Sequence, residues 1–126
     1  MVGAMREVTD FLAELCENNE RGWFEAHRKA YLRAREVFES FVAELIEGIA
    51  SFDHSVVGLT VKDCTYRIYR DTRFSPDKTP YKSYMGAYVA PRGKKSGYAG
   101  YYFHVEPGAA RQAGHSLLSA GLYCPD

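Results

Sequence analysis

The chain has 126 residues with 16 basic and 16 acidic side chains, so its formal net charge is zero. This length suits one domain, residues 1–126, and a content of 46% apolar and 25% charged residues is typical of a folded globular protein. No apolar run approaches the roughly 18–20 residues of a membrane span, and the first residues lack the apolar stretch of a secretion signal. We therefore expect a cytoplasmic protein without a membrane partner.

The first half, residues 8–50, is predicted to be helical. A first helix is indicated by apolar residues at helical spacing, namely Val8, Phe11, Leu12 and Leu15. Thr9 or Asp10 is the expected N-cap of this helix. The pair Asn18 and Asn19 predicts an interruption, because asparagine suits both a helix end and the next N-cap.

A second helical pattern begins near Arg21 and forms one long apolar stripe. Its members are Trp23, Phe24, His27, Tyr31, Ala34, Val37, Phe38, Phe41, Val42, Leu45, Ile46 and Ile49. We expect a bend near Tyr31, because a helix of this length is usually interrupted. Residues 51–55 are the predicted exit from the helical half.

The second half, residues 64–124, is predicted to be β-rich. Alternating apolar and polar residues indicate strands at 65–70, 84–90 and 98–106 and a weaker strand at 115–123, with a turn at 91–97. Short connections favour antiparallel pairing. The expected fold class is α+β, with the N-terminal helices packed on one face of an antiparallel β-meander of about four strands.

The alternation of side chains along a strand assigns residues to two sheet faces. The face toward the helices is expected to hold Ile68, Met85, Ala87, Val89, Tyr101, Phe103 and Val105. The opposite face then receives Arg67, Tyr69, Tyr84, Tyr88, Tyr102, His104 and Glu106. That second face is unusually aromatic, so we expect another layer or a ligand to cover it.

The neutral net charge hides an asymmetry between the two halves. Residues 1–60 carry 6 basic and 11 acidic groups, a net charge of −5, whereas residues 61–126 carry 10 basic and 5 acidic groups, a net charge of +5. The densest basic stretch is residues 67–82. Its arginines bring planar forks that suit phosphates and carboxylates. A ligand-binding set is predicted here and on the sheet face: Arg67, Arg70, Arg73, Lys78, Tyr81, Lys82 and Tyr102. The open alternative is a loop held together by Arg–Asp pairs and tyrosine packing.

His104 and Glu106 are the candidate catalytic residues. They share one strand face with Tyr102, and a carboxylate beside a histidine can orient it as a general base. A structural, hydrogen-bonded histidine is the alternative. No metal site is predicted, because a third ligand is not visible, and the cysteines Cys16, Cys64 and Cys124 are too far apart for a zinc or disulfide framework. We expect three reduced thiols. No cofactor is predicted, because phosphate-loop and dinucleotide motifs are absent.

Three segments together resemble one family. They are NNERGWF at 18–24, RIYRDTRFSPDKTPYK at 67–82 and GYYFHVEPG at 100–108. Their order and spacing resemble the bacterial and fungal family catalogued as domain of unknown function 2461, over essentially the whole chain. The family's name assigns no activity, so the resemblance implies no catalytic residues. It implies that this chain is the N-terminal portion of a longer family domain, whose remaining region would cover the aromatic sheet face.

Three functions follow as hypotheses. The first is binding of an anionic small molecule, bearing phosphate or carboxylate, by the basic loop 67–82, with enzymatic activity left open. The second is a non-enzymatic interaction or oligomerisation domain that forms a homodimer through the tyrosine-rich face. The third is nucleic-acid binding by basic groups and stacking tyrosines, which the neutral net charge disfavours and the positive second half leaves open.

Overall fold

A computed structural model describes residues 2–107 and 121–123 of the chain. Helices α1, α2, α3 and α4 span Val2–Glu17, Arg21–Ala26, Arg28–Ala50 and Val61–Cys64, and a short 3-10 helix spans His54–Val56. Strands β1, β2 and β3 span Met85–Val89, Gly100–Val105 and Gly121–Tyr123. The order of helices followed by antiparallel strands confirms the predicted α+β class.

The helical half follows the predicted pattern, with two corrections. Thr9 and Asp10 lie inside α1 and do not cap its start, and the Thr9 hydroxyl donates to the carbonyl of Arg6 at 3.1 Å. This bond satisfies the hydroxyl within the preceding turn of the helix. The expected bend falls at His27, four residues before Tyr31. There the imidazole stacks on the Trp23 indole, with ring centroids 4.0 Å apart, and its Nδ1 lies 2.8 Å from the Trp23 carbonyl oxygen.

The hydrophobic core lies between the helices and the inner face of the sheet. Helices α1 and α3 pack against each other, and the buried residues of both belong to one cluster with those of β1 and β2. Every residue predicted to face the helices is buried or packs against that cluster: Ile68, Met85, Ala87, Val89, Tyr101, Phe103 and Val105. The alternation of the strands therefore identified the inner face correctly.

The described strands form an antiparallel sheet in the order β1-β2-β3. In this register Gly86 pairs with His104, and Tyr88 pairs with Tyr102. Gly100 begins β2 at a point of close backbone approach, where an added Cβ would overlap the carbonyl oxygen of Val89. A glycine is therefore required where β2 enters the sheet.

The strand predicted at 65–70 is wrong. This segment forms only two isolated bridges, from Thr65 to Ala87 and from Tyr69 to Tyr81. The two bridges have different partners, and Pro80 beside the second has no amide hydrogen to extend a ladder. The strand predicted at 115–123 is described only at Gly121–Tyr123, because residues 115–120 lie outside the described part. Three strands, not four, are thus present among the described residues.

No helix in the described ranges combines the length and apolarity that crossing a bilayer requires. Cys16 is a free, exposed thiol and Cys64 is a free, buried one. Burial raises the pKa of the Cys64 thiol to about 11, which favours its protonated form. Cys124 lies outside the described residues.

Candidate functional site

Residues 70–79, which we call the arginine loop, are organised around the side chain of Arg70. Its guanidinium donates to the carbonyl oxygens of Asp77 at 3.3 Å and Thr79 at 3.0 Å, and to the Thr79 hydroxyl at 2.7 Å. It also pairs with the Asp77 carboxylate at 3.3 Å, and only 26% of the side chain is exposed. Hydrogen bonds from Thr79, and then the charge of Arg70, lower the pKa of Asp77. Arg70 therefore uses its donors to hold the loop.

The other two cations of the arginine loop are also engaged within it. Arg73 makes a two-pronged contact with Asp71, with Nε–Oδ1 at 3.0 Å and Nη2–Oδ2 at 2.9 Å. These hydrogen bonds lower the pKa of Asp71 to about 2. Lys78 donates from Nζ to the carbonyl oxygen of Thr72 at 2.6 Å. For this loop the open alternative of the sequence, Arg–Asp pairs that hold a turn, matches the observed contacts.

Tyr81, just beyond the arginine loop, belongs to the core. Its ring stacks on Phe24 of α2, with centroids 4.1 Å apart and planes 17° apart. Asn19 fixes its backbone by donating to the Tyr81 carbonyl at 2.8 Å and accepting from the Tyr81 amide at 3.1 Å. Asn19, in the break between α1 and α2, thus holds the backbone at Tyr81, which lies 62 residues further along the sequence.

A groove of about 690 Å³, which we call the basic groove, gathers cations from separate segments. Its basic lining residues are Arg35, Lys62, Arg67, Lys82, Lys94 and Lys95. The two carboxylates of the groove are already paired, Glu39 with Arg35 at 3.8 Å and Asp71 with Arg73. The remaining five cations of the lining have no described carboxylate within ion-pair distance.

Local backbone structure brings the lysines of the groove together. Thr60 and Asp63 form a capping box that starts α4, the short helix that carries Lys62. Lys94 donates from Nζ to the Lys62 carbonyl at 3.0 Å and from its amide to the Asp63 carbonyl at 2.8 Å. Gly93 has a φ of +94°, and its missing Cβ leaves room for the Asp63 carbonyl. The turn 91–97 is thereby held against α4.

Arg67 and Lys82 contribute the other charges of the groove. The amide of Lys82 donates to the Ile68 carbonyl at 2.7 Å, which aligns the two segments. The Lys82 ammonium lies 5.7 Å from the centroid of the Tyr66 ring. Burial, and then the nearby charge of Arg67, lowers the pKa of Lys82. The positive charges of this pair therefore repel each other in the folded protein.

A larger cleft, of about 870 Å³, lies between the start of α2 and the arginine loop. Its lining is balanced in charge, with Glu20, Glu25 and Asp77 against Arg21, Arg70 and Lys78. Arg70 and Lys78 are held by the loop itself. This cleft is larger than the basic groove, but its cations are matched in number by carboxylates, whereas the basic groove is lined by six cations and two carboxylates.

On the outer face of the sheet, Tyr102, His104 and Glu106 form a connected chain. The Tyr102 hydroxyl lies 3.0 Å from His104 Nδ1, and Glu106 Oε2 lies 3.2 Å from His104 Nε2. None of the three lines the basic groove. The described residues contain no group of three His, Cys, Asp or Glu side chains that could hold a metal ion.

The structure divides the predicted ligand-binding set. Arg67 and Lys82 line the basic groove. The side chains of Arg70, Arg73 and Lys78 make hydrogen bonds within the arginine loop. Tyr81 is in the core, and Tyr102 is on the outer face of the sheet. Tyr69, predicted on that face, instead lies against Phe24 and Tyr81. Four further cations of the groove were not predicted from the sequence: Arg35, Lys62, Lys94 and Lys95. Of these, only the adjacent pair Lys94 and Lys95 could have been suspected from the sequence, because it places two positive charges in a predicted turn.

Residues 7–126 match the model of the family described as conserved hypothetical protein (DUF2461). The chain therefore belongs to that family, which confirms the resemblance carried by the three sequence segments. Neither the curated proteins nor the solved structures contain a match to the chain.

Proposed function

We propose that this member of the DUF2461 family binds an anionic ligand, bearing phosphate or carboxylate groups, in the basic groove. The observation that carries the proposal is the set of five cations that have no described carboxylate within ion-pair distance: Lys62, Arg67, Lys82, Lys94 and Lys95. A guanidinium fork suits two oxygens of one phosphate or carboxylate, and ammonium groups add point charges around it. The ligand site is thus the groove formed with the segments around Lys62 and Lys94, not the arginine loop.

The energetics of the groove favour an anion. Like charges close together destabilise each other, and partial burial strengthens the effect because less water screens them. The lowered pKa of Lys82 reflects both burial and the charge of Arg67. A bound anion would offset the repulsion and raise that pKa. Anion binding at alkaline pH is therefore expected to take up protons.

The dimensions of the groove favour a small ligand. Its volume of about 690 Å³ falls within the roughly 300–1,000 Å³ of typical small-molecule sites. The exposed rings of Tyr66 and Tyr69 line the same groove and offer apolar contact beside the charges. A compact phosphate ester or polycarboxylate would match this combination of charge and apolar surface.

Reversing the charge at Arg67 is expected to remove anion binding. In a thermal-shift titration with inorganic pyrophosphate, the wild-type melting temperature should rise with ligand concentration, because the ligand binds only the folded state. Arg67→Glu should weaken the apparent affinity by at least about tenfold, or ~1.4 kcal/mol.

Lys29→Glu is the matched control for this experiment. Lys29 is exposed on α3, outside the groove, and the substitution changes the net charge by the same amount. This variant should respond to pyrophosphate like the wild type. Equal responses of Arg67→Glu and the wild type would contradict the proposed site, and equal losses in both variants would show only a general charge effect.

A further inference from the structure

A small recess, which we call the apolar recess, lies beside the basic groove, between α3 and the start of β1. Its walls include aromatic rings and aliphatic chains: Tyr31, Phe38, Tyr66, Ile68, Tyr84 and Met85. Phe38, Ile68 and Met85 are buried and belong to the hydrophobic core. An apolar group that enters the recess would therefore leave water and contact core side chains directly.

The apolar recess and the basic groove have walls in common. Six residues line both: Tyr31, Arg35, Glu39, Thr65, Tyr66 and Ile68. At this boundary the Arg35 guanidinium lies 5.9 Å from the centroid of the Tyr31 ring. The Lys82 ammonium lies 5.7 Å from the centroid of the Tyr66 ring. Cations of the groove thus meet rings of the recess, so an anion held by the groove has an apolar surface within reach.

We propose that the ligand of the basic groove is an organic anion, a phosphate ester or carboxylate, whose compact apolar group occupies the apolar recess. This inference rests on the proposed function and adds the class of molecule that is bound. The recess has a volume of about 40 Å³, and a water-sized group needs roughly 10–15 Å³. It therefore takes an apolar group about three non-hydrogen atoms wide, such as the edge of a phenyl ring.

A ligand with both parts gains from both surfaces. The cations provide charge-assisted hydrogen bonds to the anionic group. Burial of the apolar group strengthens binding by roughly fourfold for each CH₂-sized unit removed from water. We therefore expect phenyl phosphate to bind at least about tenfold more tightly than methyl phosphate, which carries the same charge.

The test compares these two esters by isothermal titration calorimetry with the full chain. Thr65→Ile puts a larger side chain on a wall that the recess shares with the groove, and it leaves every cation of the groove in place. Both residues are branched at Cβ, so the backbone preference is kept. In this variant the advantage of phenyl over methyl phosphate should fall below about threefold. The affinity for methyl phosphate and for pyrophosphate should stay as in the wild type.

Thr9→Ile is the matched control. The Thr9 hydroxyl donates to the Arg6 carbonyl at 3.1 Å, and the Thr65 hydroxyl donates to the Val61 carbonyl at 3.1 Å, so both variants lose the same kind of hydrogen bond. Thr9 lines neither the recess nor the groove. Its variant should keep the full advantage of phenyl phosphate, and thermal melts should show that both variants are folded.

A second readout needs no variant. Met85 lines the recess but not the groove, so bound phenyl phosphate should give nuclear Overhauser effects between its ring protons and the Met85 methyl group. Equal affinities of the two esters, the absence of these effects, or an advantage that folded Thr65→Ile retains would each overturn the inference and leave the proposed function intact. Binding of neither ester nor of pyrophosphate would instead contradict the proposed function, and this inference with it.

Discussion

Replacing Phe24 with Ala is expected to lower the free energy of unfolding by about 3–5 kcal/mol. The ring is fully buried and stacks on Tyr81, and it also contacts the rings of Phe11 and Tyr31. Its removal leaves a cavity where α1 and α2 meet Tyr81. Urea denaturation followed by circular dichroism measures the change.

Phe52→Ala provides the control for the Phe24 variant. Phe52 is 69% exposed and has one edge-on contact, with Tyr101. Its replacement should cost less than about 1 kcal/mol, as for other surface positions. Similar losses in the two variants would contradict the placement of α2 in the core.

Replacing Arg70 with Ala is expected to cost about 2–3 kcal/mol and to open the arginine loop. The substitution removes the bonds to Asp77 and Thr79, and hydrogen bonds that involve a charged group contribute roughly 1.5–3 kcal/mol each without being additive. Urea denaturation measures the stability, and limited proteolysis should show new cleavage within residues 71–79. Arg70→Lys should not restore the loop, because one ammonium cannot reproduce the fork.

Arg73→Ala is the control for the loop variant. Arg73 is an exposed arginine paired with one exposed carboxylate, so its loss should change stability little. Arg70→Ala should also keep its affinity for pyrophosphate, since the basic groove does not include Arg70. If the Arg70→Ala protein is folded but no longer binds pyrophosphate, the anion site is in the arginine loop and not in the basic groove.

The helices and the inner sheet face were predictable because both depend on short-range periodicity. The apolar stripe from Trp23 to Ile49 and the alternation in β1 and β2 each repeat over several residues. The segment 65–70 has the same alternation and is not a strand, because pairing depends on partners that are distant in sequence. Its neighbours Ala87 and Tyr81 lie on different segments.

The candidate site was only partly predictable, for a related reason. The sequence shows where cations are dense, and two residues of that dense stretch, Arg67 and Lys82, line the basic groove. It does not show which cations have partners. Arg70 is satisfied by carbonyl oxygens of its own loop, which no composition rule reveals. Lys62 reaches the groove through a capping box and a turn with positive φ at Gly93.

The most direct test of the account is an amide NMR titration of the wild-type protein with inorganic pyrophosphate. We expect saturable shifts at Lys62, Arg67, Lys82 and Lys95, because these residues line the basic groove. The amides of Arg73 and Phe74, in the arginine loop, should stay in place. Shifts confined to the arginine loop, or no saturable shifts at all, would contradict an anion site in the basic groove.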